Sequence, residues 1–310
     1  MAKLSILALC YNHADFLDEA LSSLQALPAE TEVLIADDAS TDSSPEILRR
    51  WEEKRPEWTF IFHEENQGNC ITFNKLLSIA SGEWILDFAT DDVLESSQVF
   101  NWIAFAEKHP DAGFCYADAW MISGSPEINR KFSDKLPADD FPQGRILTRL
   151  LGKAFICPPA VLFSRKALVQ VRGYDENLSY EDLDVWLRIA REFPIVRYPE
   201  PVIYYRQHPD SMSARLYQGR NRRHLHSTLQ ILKKVKNWPE FQPPPEVLIA
   251  FIRYHLRLCF FLQFKPEAAG FYELLQKSNS ARWTDGMLFH LTGQISLIPQ
   301  IYRRLRAGRD

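Results

Sequence analysis

Residues 33–48 read VLIADDASTDSSPEIL, and this stretch decides the fold. Val33 to Ala36 form an apolar run without alternation, as in a strand buried on both faces. Two carboxylates, Asp37 and Asp38, stop the run abruptly. Ser and Thr residues then offer helix caps, and Pro45 stands where a first helical turn accepts it. EILRRWEEK continues as an amphipathic helix. A buried strand feeding directly into a helix is half of a parallel β-α-β unit.

The same alternation extends on both sides. Upstream, LSILALCYN (4–12) is a strand-length apolar run, and DFLDEALSSLQAL (15–27) has apolar residues at helical spacing. Downstream, TFIFHEEN (59–66) reads as a third strand and CITFNKLLSIAS (70–81) as a third helix stopped by Gly82. EWILDFATDDV (83–93) reads as a fourth strand, again ending in carboxylates. Parallel sheets of this kind bind ligands in the crevice beyond the carboxyl ends of their strands. Tyr11-Asn12, Asp37-Asp38 and Asp91-Asp92 each follow a strand-like run, so they are expected on one shared edge.

Past residue 115 the pattern turns mixed. GFCYADAWMIS (113–123) reads as a strand, 125–145 as a polar loop, and AVLFSRKALVQV (160–171) as a strand leading into a helix. SYEDLDVWLRIAREF (179–193) reads as helical and IVRYPEPVIYYRQH (195–208) as a strand. From Arg215 the chain reads as helices, the last being MLFHLTGQISLIPQIYRRLRAG (287–308).

At 310 residues, one large domain with an appendage is the natural expectation. A composition 46% hydrophobic and 25% charged excludes disordered and collagen-like classes. The five cysteines form no CxxC pair, which argues against a zinc or disulfide framework and fits a reducing cytoplasm. The N-terminal apolar run reads as a buried strand, not a signal peptide, and no stretch has the length of a spanning helix. The net charge of −4 is segregated: residues 206–310 carry 17 Lys+Arg against 7 Asp+Glu, and residues 1–205 carry 19 against 33. An acidic part suits a cation, and a basic part suits an anionic surface or acceptor. Nucleic-acid binding fits poorly, because the basic part shows no recognisable motif.

Three acidic clusters carry chemistry. Asp38 at a strand end can accept hydrogen bonds from a nucleobase edge, with Asp37 bracing the turn. Ser40 or Asp42 reads equally as a plain helix cap. Asp91 and Asp92 are hard oxygen ligands of the type that Mg²⁺ or Mn²⁺ takes beside substrate phosphates. A lone pair of this kind also occurs in ordinary solvated turns. Asp182, at the start of a helix, suits a general base for an acceptor hydroxyl, though acidic residues favour first turns in any case.

Together SILALCYNHADFLDEAL, VLIADDASTDSSPEIL, ENQGNCITFNKLLSIASGEWI, ATDDV and YEDLDVWLR resemble the family 2 glycosyltransferases of GT-A fold, of the bacterial cell-surface polysaccharide type. The resemblance runs from about Leu4 to Ser213. It implies an α/β fold, a Rossmann-like, mostly parallel sheet flanked by helices, with a C-terminal helical extension. Residues 1–213 would be the catalytic domain, with a nucleotide-sugar half to about 115 and an acceptor half over 116–213. Residues 214–310 would be a basic helical region.

The resemblance places Tyr11, Asn12, Asp38, Asn66, Asn74 and Asp91 on the nucleotide, and Asp92, Asp91 and His208 at a Mn²⁺ or Mg²⁺ ion. Asp182 falls on the family's base, with Glu181 beside it as an acceptor contact. Ala89 and Thr90 stand where a further carboxylate is common. Arg206 or the loop 209–222 is expected to close over the diphosphate, whereas Asp87, earlier in its strand, is expected to be displaced from the site.

The expected activity is inverting transfer from a nucleotide-diphosphate sugar, UDP being the commonest nucleotide, to a saccharide or lipid-linked saccharide acceptor. The basic C-terminal helices suggest peripheral contact with the inner face of the membrane, or alternatively a homodimer. The competing readings are a catalytically degenerate nucleotide-sugar-binding or scaffolding protein and a sugar nucleotidylyltransferase. The latter should open on a Gly-rich phosphate loop, and CYNHADFLD has no Gly.

Overall fold

The structure is a computed structural model, described over residues 2–123, 128–137, 141–152, 154–209, 211, 222–238, 245–295, 297–300 and 302. It divides into two units. The first comprises Met1–Ile146, Ala154–Glu176 and Tyr180–Gln207, and the second Leu147–Lys153, Asn177–Ser179 and His208–Asp310.

The first unit opens as its apolar runs dictate. Strands β1 (Leu4–Cys10), β2 (Thr31–Asp37), β3 (Thr59–Phe62) and β4 (Trp84–Ala89) alternate with helices α1 (Ala14–Ser23), α2 (Ser44–Lys54) and α3 (Asn69–Ile79). The four strands are parallel in the order β3-β2-β1-β4. β1 is buried along almost its whole length, as a central strand covered on both faces must be. Register aligns Cys10 with Asp37, Asp37 with Phe62, and Leu9 with Ala89, so these strands end together. The order reverses between β1 and β4, which opens the crevice that such sheets use for ligands.

Beyond β4 the sheet departs from the expected mostly parallel arrangement. β5 (Val93–Leu94), α4 (Ser96–Glu107), β6 (Phe114–Ile122), β7 (Ile128–Lys131), β8 (Val161–Ser164), α5 (Arg165–Gln170), α6 (Asp182–Glu192) and β9 (Ile195–Arg206) complete the unit. The path continues β4-β8-β6-β9-β5, with β7 on β6. Only β6 and β9 pair in parallel there, and the β4-β8, β6-β8, β6-β7 and β5-β9 pairings are antiparallel. From β1 to β4 every connection carries a helix, as parallel neighbours require, whereas β6-β7 and β7-β8 are joined without an α-helix.

Two local expectations change. The run 83–93 is two strands: Asp92 N–H donates to the Ala89 carbonyl at 3.0 Å, turning the chain before β5. α3 ends at Ile79 on extended Ala80, before Gly82. The glycine serves close approach instead: a Cβ there would meet the Ser5 nitrogen at 2.5 Å.

In the second unit the helices α7 (Arg222–Lys236), α8 (Pro245–Leu262), α9 (Lys265–Lys277) and α10 (Trp283–Leu291) pack together. Leu225, Leu229, Leu232, Leu256 and Phe271 are buried among them. Arg222 pairs with Glu267 at 2.8 Å and Arg253 with Asp285 at 3.0 Å, joining α7 to α9 and α8 to α10. The run read as one terminal helix over 287–308 is interrupted, because α10 ends at Leu291 and Gly293 turns left-handed at φ 86°. No described helix is long and apolar enough to cross a membrane.

Candidate functional site

The loops after β1 and β2 are knitted together. Asn12 and Ala39 both take left-handed conformations at φ 58°, a cost that persists only where surroundings over-determine the backbone. Here they do. The Asn12 Oδ1 accepts the Thr41 N–H at 2.7 Å, and the Asn12 N–H donates to Ser40 Oγ at 2.9 Å. Asp42 accepts from the N–H groups of both Ala14 and Ser44, joining the starts of α1 and α2. Asp37 accepts the Ser40 N–H and so braces its turn. Tyr11 stands exposed at this edge.

Asp38 is nearly buried, at 5% exposure, and its carboxylate gathers the segment before α3. His63 Nδ1 lies 3.0 Å from Oδ1, the N–H groups of Gln67 and Gly68 donate at 2.9 and 2.8 Å, and the Thr72 hydroxyl donates at 3.1 Å. Burial pushes this carboxyl up, but the hydrogen bonds outweigh burial and hold it below the ordinary range. Asn66 donates its amide to the Asp38 carbonyl at 3.2 Å.

The turn after β4 holds Thr90, Asp91 and Asp92. Thr90 donates to the Leu9 carbonyl and meets His13 Nδ1 at 2.9 Å, bridging the β1-β4 crevice. His13 Nε2 lies 3.8 Å from Asp91. Asp92 is 2% exposed, and its Oδ1 accepts the backbone N–H of Arg206 at 2.8 Å. Burial and then the Asp91 charge push the Asp92 carboxyl well up, against the Arg206 N–H and charge. A buried carboxylate with one hydrogen bond among the described residues, beside a second carboxylate, fits a hard divalent cation. No three His, Cys, Asp or Glu side chains converge on a ready metal cage among the described residues.

Arg206 differs from its expected closing role. It is 2% exposed, donating to the Asp91 carbonyl at 2.8 Å and to Glu19 at 2.6 Å, and it lies over Phe16. Its guanidinium therefore supports the acidic turn from within. His208 belongs to the second unit. In the loop 209–222, residues 210 and 212–221 lie outside the described residues.

Glu181 and Asp182 begin α6. Asn69, the first residue of α3, donates its side-chain amide to Glu181 Oε2. Asp182 accepts the Leu183 N–H at 2.6 Å. Asp87 on β4 accepts the Tyr174 hydroxyl at 2.7 Å, and Tyr174 stacks on Phe73 with centroids 3.8 Å apart. Burial, then the charges of Asp182 and Asp87, push Glu181 up to about 8. Burial raises Asp182 to about 6 against the Leu183 N–H and its own, and raises Asp87 to about 6 against Tyr174. The Asp87 charge thus acts on Glu181. Asn74 is committed elsewhere: its amide donates to the Tyr174 carbonyl and to Glu176, and its oxygen accepts the Tyr174 N–H.

Sequence reasoning did not single out His13, Asn69 or Tyr174. His13 and Asn69 carried a signal, each sitting inside a quoted motif at the start of a helix. Tyr174 carried none, because its partner Asp87 lies 87 residues away.

The profile of glycosyl transferase family 2 matches residues 5–172. An uncharacterized protein of Mycobacterium tuberculosis is 27% identical over 230 residues, 71% of this chain and 63% of that protein. Poly-beta-1,6-N-acetyl-D-glucosamine synthase of Staphylococcus epidermidis is 27% identical over 190 residues, 59% of this chain and 44% of the synthase. The chain therefore spans only about half to two-thirds of the length of these relatives. Among solved structures, S. aureus TarS 1-349 in complex with UDP-GlcNAc aligns with TM-score 0.69 at 18% identity, covering 97% of this chain and 92% of that one. A mannosyltransferase from Pyrobaculum calidifontis in complex with GDP-Man and Mn²⁺ aligns with TM-score 0.59 at 18% identity, covering 98% and 82%. These likenesses establish the GT-A fold. With its profile match covering more than half of its length, the chain belongs to glycosyl transferase family 2.

Proposed function

We propose that this chain transfers a sugar from a nucleotide-diphosphate donor to an acceptor hydroxyl, with inversion at the anomeric carbon. The observation that carries the reading is the double use of β4. Its Asp87 shares an electrostatic cluster with Glu181, and its carboxyl end leads into Asp91 and Asp92. β4 thereby leads at its end to the leaving-group site, while its Asp87 acts on Glu181, the neighbour of the base Asp182.

Asp182 takes the proton of the acceptor hydroxyl, which attacks the anomeric carbon opposite the nucleotide. One displacement inverts that centre, so an α-linked donor gives a β-linked product. Tyr11, Asn12 and Asp38 lie at the strand ends where a nucleotide would sit, with Asp91 at the ribose. Asp92, with Asp91 beside it, would hold Mn²⁺ or Mg²⁺, whose chemistry there is to neutralise the departing diphosphate.

A UDP-sugar is the favoured donor, supported by the structural likeness to TarS in complex with UDP-GlcNAc. The acceptor is a saccharide or lipid-linked saccharide, as suits a relative named for poly-beta-1,6-N-acetyl-D-glucosamine synthesis. Catalysis is assigned to residues 1–213 and acceptor-side localisation to 214–310. In the second unit α8 exposes Tyr254 and Phe261, and α10 exposes Trp283 at 79%. Together with the surplus of 17 Lys+Arg over 7 Asp+Glu across 206–310, these side chains suit an anionic bilayer surface. Co-sedimentation with anionic but not neutral liposomes is expected. A dimer in sedimentation velocity without liposome binding would assign the face to self-association instead.

The reading is tested by incubating the full chain with a panel of UDP- and GDP-sugars, with and without Mn²⁺, and detecting released nucleotide. Release from one donor, enhanced by the ion, is expected. Binding and release from none of them would reject the assignment.

A further inference from the structure

Within the second unit, one polar contact holds a stretch of chain that leads straight into the proposed base. Asn177–Ser179 belong to this unit, and the chain passes into the first unit at Tyr180. On α7, Ser227 is 2% exposed and its Oγ accepts the backbone N–H of Ser179 at 2.9 Å. The two hydroxyls also meet at 3.1 Å. A hydroxyl inside a helix ordinarily faces solvent or turns back to the carbonyl one turn earlier, as the neighbouring Thr228 does toward His224 at 3.1 Å. Ser227 instead meets a segment 48 positions earlier in the chain. The start of α6 needs such a hold. Helix starts are commonly fixed by a side chain at the cap position, yet Glu181, at that position of α6, makes no side-chain cap bond. Asp182 is the first residue of the helix, and its carboxylate takes the Leu183 N–H. Asn69 reaches Glu181 there, and Ser227 fixes the chain two residues before it. Leu178 and Tyr180, on either side of Ser179, are both buried. Three residues of extended chain span only about 10 Å, so little slack lies between the anchor at Ser179 and the Asp182 carboxylate.

We propose that Ser227 is a positioning residue for the transfer: through Ser179 it fixes the chain entering α6, and so the direction of the Asp182 carboxylate. The proposal rests on the reading of Asp182 as base. It gives the C-terminal helices a part in catalysis beyond the localisation assigned to 214–310. A base works only when its oxygen lies within hydrogen-bond reach of the acceptor hydroxyl, and a misplacement of about 1 Å can cost on the order of 100-fold in rate. The nucleotide is assigned to other residues, those at the ends of β1, β2 and β4. Loss of the anchor should therefore be felt in kcat and not in donor affinity.

The test uses the full chain with three substitutions at one position. Ser227→Ala and Ser227→Cys remove the strong oxygen acceptor with little change of volume, and Ser227→Thr keeps it. Turnover is followed as nucleotide release from the UDP- or GDP-sugar that wild type accepts. It should fall about tenfold in the Ala and Cys variants, with donor KM within about twofold of wild type, and should stay within about threefold in the Thr variant. Amide hydrogen exchange reads the same contact and needs no donor. The Ser179 and Leu183 amides should exchange at least about tenfold faster in the Ala and Cys variants, while those of α7 keep their rates. Ser278→Ala, which removes a hydroxyl bonded to the Leu274 and Leu275 carbonyls of α9, should change none of these readings. Wild-type turnover in the Ala and Cys variants, or unchanged exchange at Leu183, overturns the proposal. So does a loss of turnover accompanied by faster exchange throughout α7, which would be unfolding of the unit. Should Asp182→Asn keep its turnover while Ser179 and Leu183 respond as stated, the base assignment fails by itself and the anchoring by Ser227 stands.

Discussion

The backbone N–H of Arg206 donates to Asp92 Oδ1 at 2.8 Å, tying the end of β9 to the turn after β4 across 114 residues of chain. The same arginine anchors the Asp91 carbonyl and Glu19 through its side chain. The acidic turn is thus held from beneath by a buried cation.

Replacing Arg206 with Ala should therefore harm the turn without touching substrate. The backbone bond survives, but the Asp91 carbonyl and the Glu19 carboxylate lose their donor and Asp92 loses a nearby positive charge. A stability loss of about 2–4 kcal/mol in urea denaturation is expected. A loss below about 0.5 kcal/mol would show that the side chain only lies there.

Asp92→Asn should remove the effect of Mn²⁺ on donor binding. In calorimetric titrations the wild type should bind nucleotide more tightly with the ion than without it. The variant should show the same weak affinity in both. Persistence of ion-enhanced binding would move the metal away from Asp92.

Turnover should depend on pH through Asp182. Burial holds its pKa up at about 6, and a general base acts only when ionised. The kcat profile should therefore be low below pH 6 and rise through that value. A flat profile from pH 5 to 7 would contradict the role.

Glu181 makes a prediction about stability with the opposite sense to most carboxylates. Its folded pKa is raised from 4.5 to about 8, so the folded chain holds a proton that the unfolded chain has released. Its contribution is fully present below about pH 4.5 and is lost as pH rises through about 8. Glu181→Gln, which cannot ionise, should match wild type at pH 4 and exceed its Tm by several degrees at pH 9. Equal melting temperatures at both pH values would mean that Glu181 is ionised without strain.

Several of these relationships were legible in the sequence. Uninterrupted apolar runs such as LSILALC can be satisfied only by strands covered on both faces, so β1, β2 and β4 and the shared edge of Asn12, Asp38 and Asp91 followed from pattern alone. The antiparallel half was less legible, because short strands such as Val161–Ser164 read the same in either direction. The split of 83–93 was hidden for a related reason: no Gly or Pro marks the turn at Asp91-Asp92, which is closed by the Asp92 N–H to Ala89 carbonyl bond and braced by Arg206. Asn69 and Asn74 illustrate the limit best. Both lie in the motif 65–85 as polar residues of one helix, yet one reaches Glu181 and the other the Tyr174 backbone. Only the way α3 lies beside the loop before α6 decides that, and no local pattern encodes it.

The central claim is that Asp182 is the base of a nucleotide-sugar transfer, and one comparison tests it directly. Wild type and Asp182→Asn are titrated with the UDP-sugar donor in the presence of Mn²⁺ and then assayed for nucleotide release with acceptor. The account predicts dissociation constants within about threefold of each other and a loss of turnover of at least about 100-fold. Equal binding with turnover within tenfold of wild type would contradict it.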